Sequence, residues 1–329
     1  PVWDTGLSAH ALLEAGETND PRLEQMLDWL ASKQILDHHG DWTTRRPGVR
    51  PGGWAFQYEN PDYPDVDDTA VVAMAMHRQG SPKYNENIDR ACEWLVGMQS
   101  SSGGWGAFEP ENEHFYLNSI PFADHGALLD PPTVDVTARC IGCLAQIDPE
   151  KYKDSVQAGL NYLKKEQLPD GSWFGRWGAN YIYGTWSVMV CLESAGVDLR
   201  EPWVRRAADW MKAQQREDGG WGEGLESYEE PGRGDHIKST ASQTAWAIMG
   251  LMAVGEVSSK EVREGARWLD DAPKEAGSPR WEEDLYTGTG FPKVFYLKYH
   301  GYAAFFPLWA AARYERMARS NDPRQGWGM

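Results

Sequence analysis

The segment EWLVGMQSSSGGW, residues 93–105, contains the pattern that decides the fold. An aromatic and an aliphatic residue close a helix, Gln99 follows on the last turn, and a glycine-containing turn leads to Trp105. Glycine accepts the positive φ that ends many helices, and a glutamine amide can bond backbone groups left unpaired there. We therefore expect a corner in which Gly caps the helix and Gln lies against the indole.

The corner pattern recurs about every 50 to 70 residues, an interval suited to an array of helical hairpins. A fifth copy, ARWLDDAPKEAGSPRW at 266–281, keeps the helix and Trp281 but lacks Gln, which predicts a looser corner. The remaining copies are DWLASKQILDHHGDW at 28–42, ending at Trp42, NYLKKEQLPDGSW at 161–173 and DWMKAQQREDGGW at 209–221.

The stretches between the corners are apolar nearly all round, which is typical of helices buried on most faces. Helices that end in the corners carry more charge and suit an outer layer. Alternating inner and outer helices predict an all-α fold, an α/α barrel or toroid, in which residues 1–329 form a single domain with few strands. The inner stretches are DVDDTAVVAMAMHRQG (65–80), TVDVTARCIGCLAQI (133–147), YGTWSVMVCLESAG (183–196) and SQTAWAIMGLMAVG (242–255).

Composition excludes several classes of function. A formal net charge of -17 argues against binding nucleic acid, because phosphate neutralisation needs a basic face. No apolar run approaches the roughly 18 to 20 residues that span a bilayer. Cys140 and Cys143 form a C-x-x-C within an apolar helix, but no second ligand pair stands at finger-like spacing, so we expect no metal and no cofactor.

The segment PDYPDVDDTAVVAMAM, residues 61–76, places three acids at the start of a buried helix: Asp65, Asp67 and Asp68. One interpretation is helix capping, in which Asp65 or Asp67 accepts backbone N–H bonds and the helix dipole favours acids in the first turn. The other is chemical. Carboxyl groups this close cannot all ionise, and burial favours the neutral form, so one of them is expected to keep its proton.

A second polar group begins another apolar helix, since DPPTVDVTARC at 130–140 contains Asp130, Asp135 and Arg139, with Asp124 shortly before it. Asp135 and Arg139 are spaced i, i+4, so an ion pair within one helix is one explanation.

Aromatic residues crowd three further segments, GGWAFQYEN (52–60), GSWFGRWGANYIYGTW (171–186) and YTGTGFPKVFYLKYHGYAAFFP (286–307). Core packing accounts for many of them. The third segment also contains Gly288, Gly290 and Pro292, a loop composition suited to presenting rings to a cavity. Ring faces stabilise cations by about 0.5 to 2 kcal/mol each when desolvated, so rings beside a protonated acid suit carbocation chemistry.

PDVDDTA, the Gln-Trp corners, DGSWFGRWG and YTGTGFP together resemble the bacterial squalene-hopene cyclases, class II triterpene cyclases, over essentially the whole chain. The resemblance implies protonation-initiated polycyclisation of squalene to hopene or hopanol. It assigns the general acid to Asp67, which the supporting carboxylates Asp65 and Asp68 assist. The catalytic residues implied are Asp65, Asp67, Asp68, Asp135, Arg139 and Tyr183, the last in the network that reloads the proton.

The resemblance also implies an aromatic cavity in which Phe56, Phe291 and Phe295 face successive cationic centres. Arg139 departs from the family pattern, which has His there, and Arg holds a carboxylate more firmly ionised. The other departures are Phe108 where Tyr is expected, His125 for Phe and Ala123 for Cys. The substrate-binding residues implied are Trp3, Phe56, Phe108, Phe122, Trp177, Phe291, Phe295, Tyr299 and Tyr302.

Family members run roughly twice this length as two barrels, and the segment resembles the C-terminal one, so we expect a longer protein whose N-terminal barrel is a partner and whose substrate is squalene. We expect the full protein to be a homodimer that touches the cytoplasmic side of a bacterial membrane peripherally. The chain alone is expected to turn over squalene poorly or not at all.

Three alternatives stay open on the residues themselves. An α/α-barrel glycosidase would use two carboxylates about 5 to 9.5 Å apart, and Asp67 with Asp135 is the pair it would need. A non-catalytic repeat scaffold would bind a protein on its concave face. A prenyltransferase β-subunit shares the barrel but requires an Asp, Cys and His zinc set that we do not find.

Overall fold

The computed structural model of the chain describes residues 1–120, 129–230, 237–275, 277–320 and 324–329, except the side chain of Glu275. Contacts divide it into two compact units, Pro1–Lys165 and Glu166–Met329.

The first unit consists of helical hairpins. Helices α1, α3 and α5 form a row in which α1 packs on α3 and α3 on α5, while α2 packs against α1 and α4 against α3. The helices of this unit are α1 (Val2–Glu14), α2 (Pro21–Ser32), α3 (Val66–Gln79), α4 (Asn85–Gly97), α5 (Val134–Ile147) and α6 (Lys153–Glu166).

The second unit repeats this arrangement and adds the short antiparallel strands β1 (Gly288–Phe291) and β2 (Phe295–Leu297). Helix α9 packs against α7 and α11, while α8 and α10 pack outside them. Its helices are α7 (Tyr181–Cys191), α8 (Pro202–Ala213), α9 (Ala241–Ala253), α10 (Lys260–Glu275) and α11 (Tyr302–Arg319).

The predicted division into inner and outer helices is confirmed. Every residue of α9 is buried, and α3 is buried from Val66 to Met76. The outer helix α8 instead buries one face, through residues such as Trp203 and Met211, and presents its charges to solvent. An apolar stripe of this kind drives docking, because burying it removes hydrophobic surface from water.

The four corners that contain glutamine share one hydrogen-bonded design. At the second corner, Gln99 Nε2 donates to Gly103 O (2.8 Å) and to Ser155 O (3.0 Å) at the start of the next outer helix. Trp105 Nε1 donates back to Leu95 O (2.7 Å), and its backbone N–H donates to Thr137 Oγ1 (2.9 Å) on the inner helix. This corner therefore ties the end of α4 to the start of α6 and to the inner helix α5.

The first corner ends at Trp54, so the expectation of Trp42 was wrong. Gln34 Nε2 bonds Gly52 O (2.8 Å) and Asn87 O (2.9 Å), and Trp54 Nε1 donates to Leu30 O (2.6 Å). The residues between Gln34 and Gly52 are an insertion. Trp42 lies inside this insertion. It matches the sequence pattern of the corner because Gly40-Asp41-Trp42 stands closer to Gln34 than Gly52-Gly53-Trp54 does.

The expected glycine cap was also wrong. The positive φ values of Gly103 (93°), Gly171 (101°) and Gly219 (89°) lie in the turn between Gln and Trp. The outer helices α2, α4 and α8 end in right-handed residues, Lys33, Met98 and Gln214. At the fifth corner Trp281 keeps its indole bond, to Leu269 O (2.7 Å), but is only partly buried.

Within the ranges described, none of the helices combines the length and the hydropathy that crossing a bilayer requires.

Candidate active site

The three acids of DVDDTA lie at the start of α3, and all three are buried. Asp65 is the N-cap, and its Oδ1 accepts the backbone N–H groups of Asp67 (2.8 Å) and Asp68 (3.1 Å). The capping interpretation therefore holds for Asp65. Asp68 differs, because its Oδ1 is buried and has no hydrogen-bond partner among the described residues. A buried carboxylate oxygen without a donor strongly favours the protonated form.

Arg139 reaches from α5 to the acids. Its Nε donates to Asp67 Oδ1 at 2.8 Å, and the side chains of both residues are at least nine-tenths buried. The guanidinium carbon also lies 5.6 Å from the ring centre of Trp3 on α1, within cation–π range. Arg139 thus links the acid to one of the aromatic residues that the sequence singled out.

The pKa values of the three acids rise for related reasons. Burial, reinforced by the Asp67 charge and opposed by the backbone N–H bonds, raises the pKa of Asp65 to about 8. Burial and the Asp65 and Asp67 charges raise the pKa of Asp68 well above its usual range. Burial also raises the pKa of Asp67, but the charge and hydrogen bond of Arg139 oppose it. The cluster can therefore hold protons at neutral pH, and Asp67 is the acid whose ionised form has a counterion.

Two further acids serve the loops around the site. Asp135, which is fully buried, accepts a hydrogen bond from Thr133 Oγ1 and another from the Val136 N–H (3.1 Å). Asp130 accepts the backbone N–H groups of Ala107 (3.0 Å), Phe108 (2.6 Å) and Glu109 (2.7 Å). Asp130 thus fixes the loop that follows the second corner and carries Phe108.

Tyr183 belongs to a buried aromatic cluster of the second unit. Its ring centre lies 5.0 Å from that of Trp246 and 5.5 Å from that of Trp186. Tyr302 belongs to the same cluster, since its ring centre lies 5.0 Å from that of Phe306. It also stacks on Tyr299, with ring centres 4.5 Å apart. Sequence reasoning missed Trp186, Trp246 and Phe306. The signal that could have found the two tryptophans was their place beside the corner threonine, in GTW and QTAW.

The strands β1 and β2 form a hairpin in which aromatic rings pack closely against glycine residues. A Cβ on Gly290 would meet the Phe295 ring at 1.9 Å, and one on Gly288 would meet the Tyr299 ring at 2.4 Å. Phe291 and Phe295 pack against each other with ring centres 5.6 Å apart. The glycines of YTGTGFP are therefore required by ring packing, and Phe295 keeps 45% of its surface exposed.

The loop before α7 extends this hairpin. Ala179 N–H donates to Thr287 O (2.9 Å) and Thr289 N–H to Trp177 O (3.2 Å), so the loop runs beside β1. Trp177 is thereby held at the same hairpin as Phe291.

The structure brings together the acids, Arg139 and Trp3 in the first unit, and the hairpin and cluster aromatics in the second. Phe56 and Phe108 are half-buried in the first unit, each in the segment just after a corner tryptophan. Phe122, Ala123, Asp124 and His125 lie outside the described residues.

Glu223 is a buried carboxylate that sequence reasoning missed. It accepts the N–H groups of Asn180 (3.2 Å), Tyr181 (3.2 Å) and Ile182 (2.9 Å), which begin α7. Burial raises the pKa of Glu223, and these bonds oppose the rise. Its donors come from a distant part of the chain, so no local pattern identifies it.

Comparison with solved structures shows the fold. A type II terpene cyclase from Scytonema matches with a TM-score of 0.63 at 16% identity, over 96% of this chain and 88% of that one. At this identity the likeness shows the fold, which is the α/α toroid of terpene cyclases, so the predicted fold class is confirmed.

The family follows from the sequence itself. The model of the squalene-hopene cyclase C-terminal domain matches residues 1–316, and the chain belongs to this family. It is 55% identical to a squalene-hopene cyclase from Bradyrhizobium diazoefficiens and 53% identical to one from Zymomonas mobilis. Each match covers 100% of this chain and 51% of the relative. The chain thus spans about half the length of these curated relatives, and the glycosidase, scaffold and prenyltransferase alternatives are not favoured.

Proposed function

We propose that the protein containing this chain is a squalene-hopene cyclase and that this chain supplies the acid that starts the reaction. The observation that carries the proposal is the buried cluster of Asp65, Asp67 and Asp68, in which Asp68 Oδ1 lacks a donor among the described residues. Family membership provides the substrate, since the matched relatives are named for squalene and hopene.

The first step is proton transfer from the Asp67 carboxyl to the terminal double bond of squalene. One alkene carbon gains the C–H bond, the other becomes a tertiary cation, and the electron pair of the broken O–H bond stays on Asp67. Arg139, 2.8 Å from Oδ1, stabilises the carboxylate so formed. An acid whose conjugate base is paired in this way is stronger, which alkene protonation requires.

Successive double bonds then attack the cation, and each attack forms a ring bond and moves the positive charge along the chain. Phe56, Phe291 and Phe295 face the cationic centres in this proposal, because ring faces stabilise a cation without offering a nucleophile that would trap it. Loss of a proton from the last cation gives hopene, and capture of water gives hopanol. The residues proposed to line or support the cavity are Trp3, Phe108, Trp177, Tyr299 and Tyr302.

Roles in reloading the proton are assigned to Asp135 of the first unit and to Tyr183 of the second. Asp65 and Asp68, which are expected to stay neutral near pH 7, keep like charge away from Asp67 while it cycles. No metal or cofactor takes part in this proposal.

The remaining features concern the whole protein. We propose that residues 1–329 form a single barrel, the C-terminal one of two, and that the full enzyme is a homodimer in peripheral contact with the cytoplasmic face of the membrane. Squalene dissolves in lipid, which supports membrane contact. This chain expressed alone should give little or no product, and product formation at the rate of the full-length enzyme would contradict that expectation.

The test is to supply squalene to the full-length protein and to its Asp67→Asn variant and to quantify cyclic products. Removal of the acid should lower turnover by about 10²- to 10⁴-fold. Asp198→Asn, at an exposed aspartate of the second unit, is the matched control and should leave turnover unchanged. Equal turnover in the Asp67→Asn variant and the parent would refute the proposed acid.

A further inference from the structure

The side chain of Arg176 bridges two aromatic residues of the hairpin region. Its guanidinium carbon lies 4.2 Å from the ring centre of Trp177 and 5.0 Å from that of Phe291. Its Nη1 atom is buried. A protein cation thus occupies faces of two rings that the proposed function places at the substrate.

The backbone holds this arrangement in register. Two hydrogen bonds, from Ala179 N–H to Thr287 O and from Thr289 N–H to Trp177 O, attach the loop directly after Arg176 to β1. The bridge between Gly178 and Gly288 lies between them. Phe291 is the last residue of β1. The guanidinium of Arg176 therefore connects the ring of Phe291 to the loop before α7, which runs beside β1. The contact is therefore part of an ordered hairpin and not of a free surface loop.

Arginine is suited to this place. Its guanidinium is planar, stacks on ring faces and is more weakly hydrated than an ammonium group. A cation on one face of a ring also repels a second cation, so the Phe291 face next to Arg176 is closed to a carbocation electrostatically as well as sterically.

We propose that Arg176 is a positioning residue that fixes the rings of Phe291 and Trp177 and leaves only the far face of Phe291 open to a cationic intermediate. The proposal rests on the proposed function, because it assigns to Arg176 control over where a cation of that reaction is held. It does not make Arg176 a proton donor or acceptor.

Product analysis of the full-length enzyme with squalene is the first experiment. Arg176→Met removes charge and planarity, and Arg176→Lys keeps the charge alone. The fraction of incompletely cyclised products should rise about 3- to 30-fold in Arg176→Met and less in Arg176→Lys. This fold-change is the one expected from the free energy of a single cation–π contact. The control is Arg200→Met, since Arg200 is exposed and bonds only the neighbouring Asp198 among the contacts described.

Binding of a protonated lipophilic amine, compared with its neutral carbon analogue, is the second experiment and requires no turnover. The ratio of the two affinities should shift towards the amine by about 3- to 30-fold in Arg176→Met and stay near the parent's ratio in Arg176→Lys. This ratio separates the two proposals. If the parent enzyme forms no product from squalene, the proposed function is refuted. The affinity ratio still tests the role proposed for Arg176 in that case.

A merely structural role for Arg176 predicts a different result. It would lower the amount of folded protein or reduce kcat while the product pattern and the affinity ratio stayed those of the parent. That result in Arg176→Met would overturn the proposal, whatever the size of the fall in kcat.

Discussion

The starts of two inner helices, α3 and α7, each hold a buried carboxylate, and the two differ in how their oxygens are used. Glu223 accepts three backbone N–H groups at the start of α7. At the start of α3, Asp65 takes the capping bonds, and Asp68 is left with an oxygen that has no donor in the described part of the chain. Burial raises the pKa values of all three.

The comparison teaches that burial alone does not distinguish a structural carboxylate from a chemical one. A carboxylate whose oxygens accept backbone donors is retained because removing it would strand those donors. A carboxyl group in excess of the capping requirement has no such structural use. The proposed proton-transfer role is therefore assigned to Asp67, one of the two acids at α3 that the cap does not use. Each half of the contrast can be tested separately.

The largest effect is expected from the buried pair at α3. Asp67→Ala strands the Arg139 charge, which cannot be relieved by deprotonation, and should lower the free energy of unfolding by about 3 to 5 kcal/mol. Arg139→Met should cost less, because the protonated form of Asp67 needs no counterion. Urea unfolding of the full-length variants measures both, and a larger loss for Arg139→Met than for Asp67→Ala would contradict this account. The exposed pair of Asp198 and Arg200 provides matched controls, expected to show no measurable change.

A somewhat smaller effect is expected at α7. Glu223→Ala leaves three backbone N–H groups without their acceptor and should cost about 2 to 4 kcal/mol, whereas Glu223→Gln keeps an acceptor oxygen and should cost less. Thermal unfolding gives the order of the two variants. Turnover per folded molecule should be unchanged in Glu223→Gln. If Glu223→Gln lost as much turnover as Asp67→Asn, the distinction between the two helix starts would be wrong.

The pH dependence of stability should differ between parent and Asp65→Asn. Because its pKa is raised to about 8, Asp65 holds its proton in the folded state but loses it in the unfolded state near 3.8, so the free energy of unfolding falls as pH rises between these values. Asparagine still caps a helix but does not titrate. As pH rises, the free energy of unfolding should therefore fall less steeply in Asp65→Asn than in the parent, by up to about 1.4 kcal/mol per pH unit.

Urea unfolding at pH 5, 6.5 and 8 measures this slope. The carboxyl groups that act on Asp65 are Asp67, Asp68 and Asp130, and Asp68 still titrates in the variant, so part of the dependence should remain. Asp198→Asn is the control, because its pKa of about 2 lies below the range. Identical slopes in the parent and Asp65→Asn would show that Asp65 is ionised throughout.

The smallest effect is expected where the repeats are alike. Trp54 N–H donates to Thr69 Oγ1 on α3, and Trp221 N–H donates to Thr244 Oγ1 on α9, both at 2.9 Å. Thr69→Val and Thr244→Val should each cost about 1 to 2 kcal/mol, because each leaves one buried N–H without an acceptor. Unequal losses in thermal unfolding would mean that the corner at the acids is built differently from the others.

The sequence by itself determined the helices, their inner and outer layers, and the place of the acids at the start of α3, because these depend on local periodicity and on which residues begin a helix. It also identified the Gln-Trp corner, although it assigned Trp42 where the structure has Trp54. Local spacing cannot detect an insertion that still contains a Gly-x-Trp. The family resemblance was carried by the same motifs and is confirmed.

Only the tertiary structure showed which groups surround each carboxylate. Packing and side-chain direction bring the partners together in each of four contacts. These are the cap by Asp65, the bond from Arg139 to Asp67, the bonds from the start of α7 to Glu223, and the stacking of Arg176 on two rings. Hydrogen-bond satisfaction and desolvation depend on every neighbour within a few ångströms, and most of those neighbours are remote in sequence. A sequence names the groups that can carry a proton, and packing fixes which of them retains it.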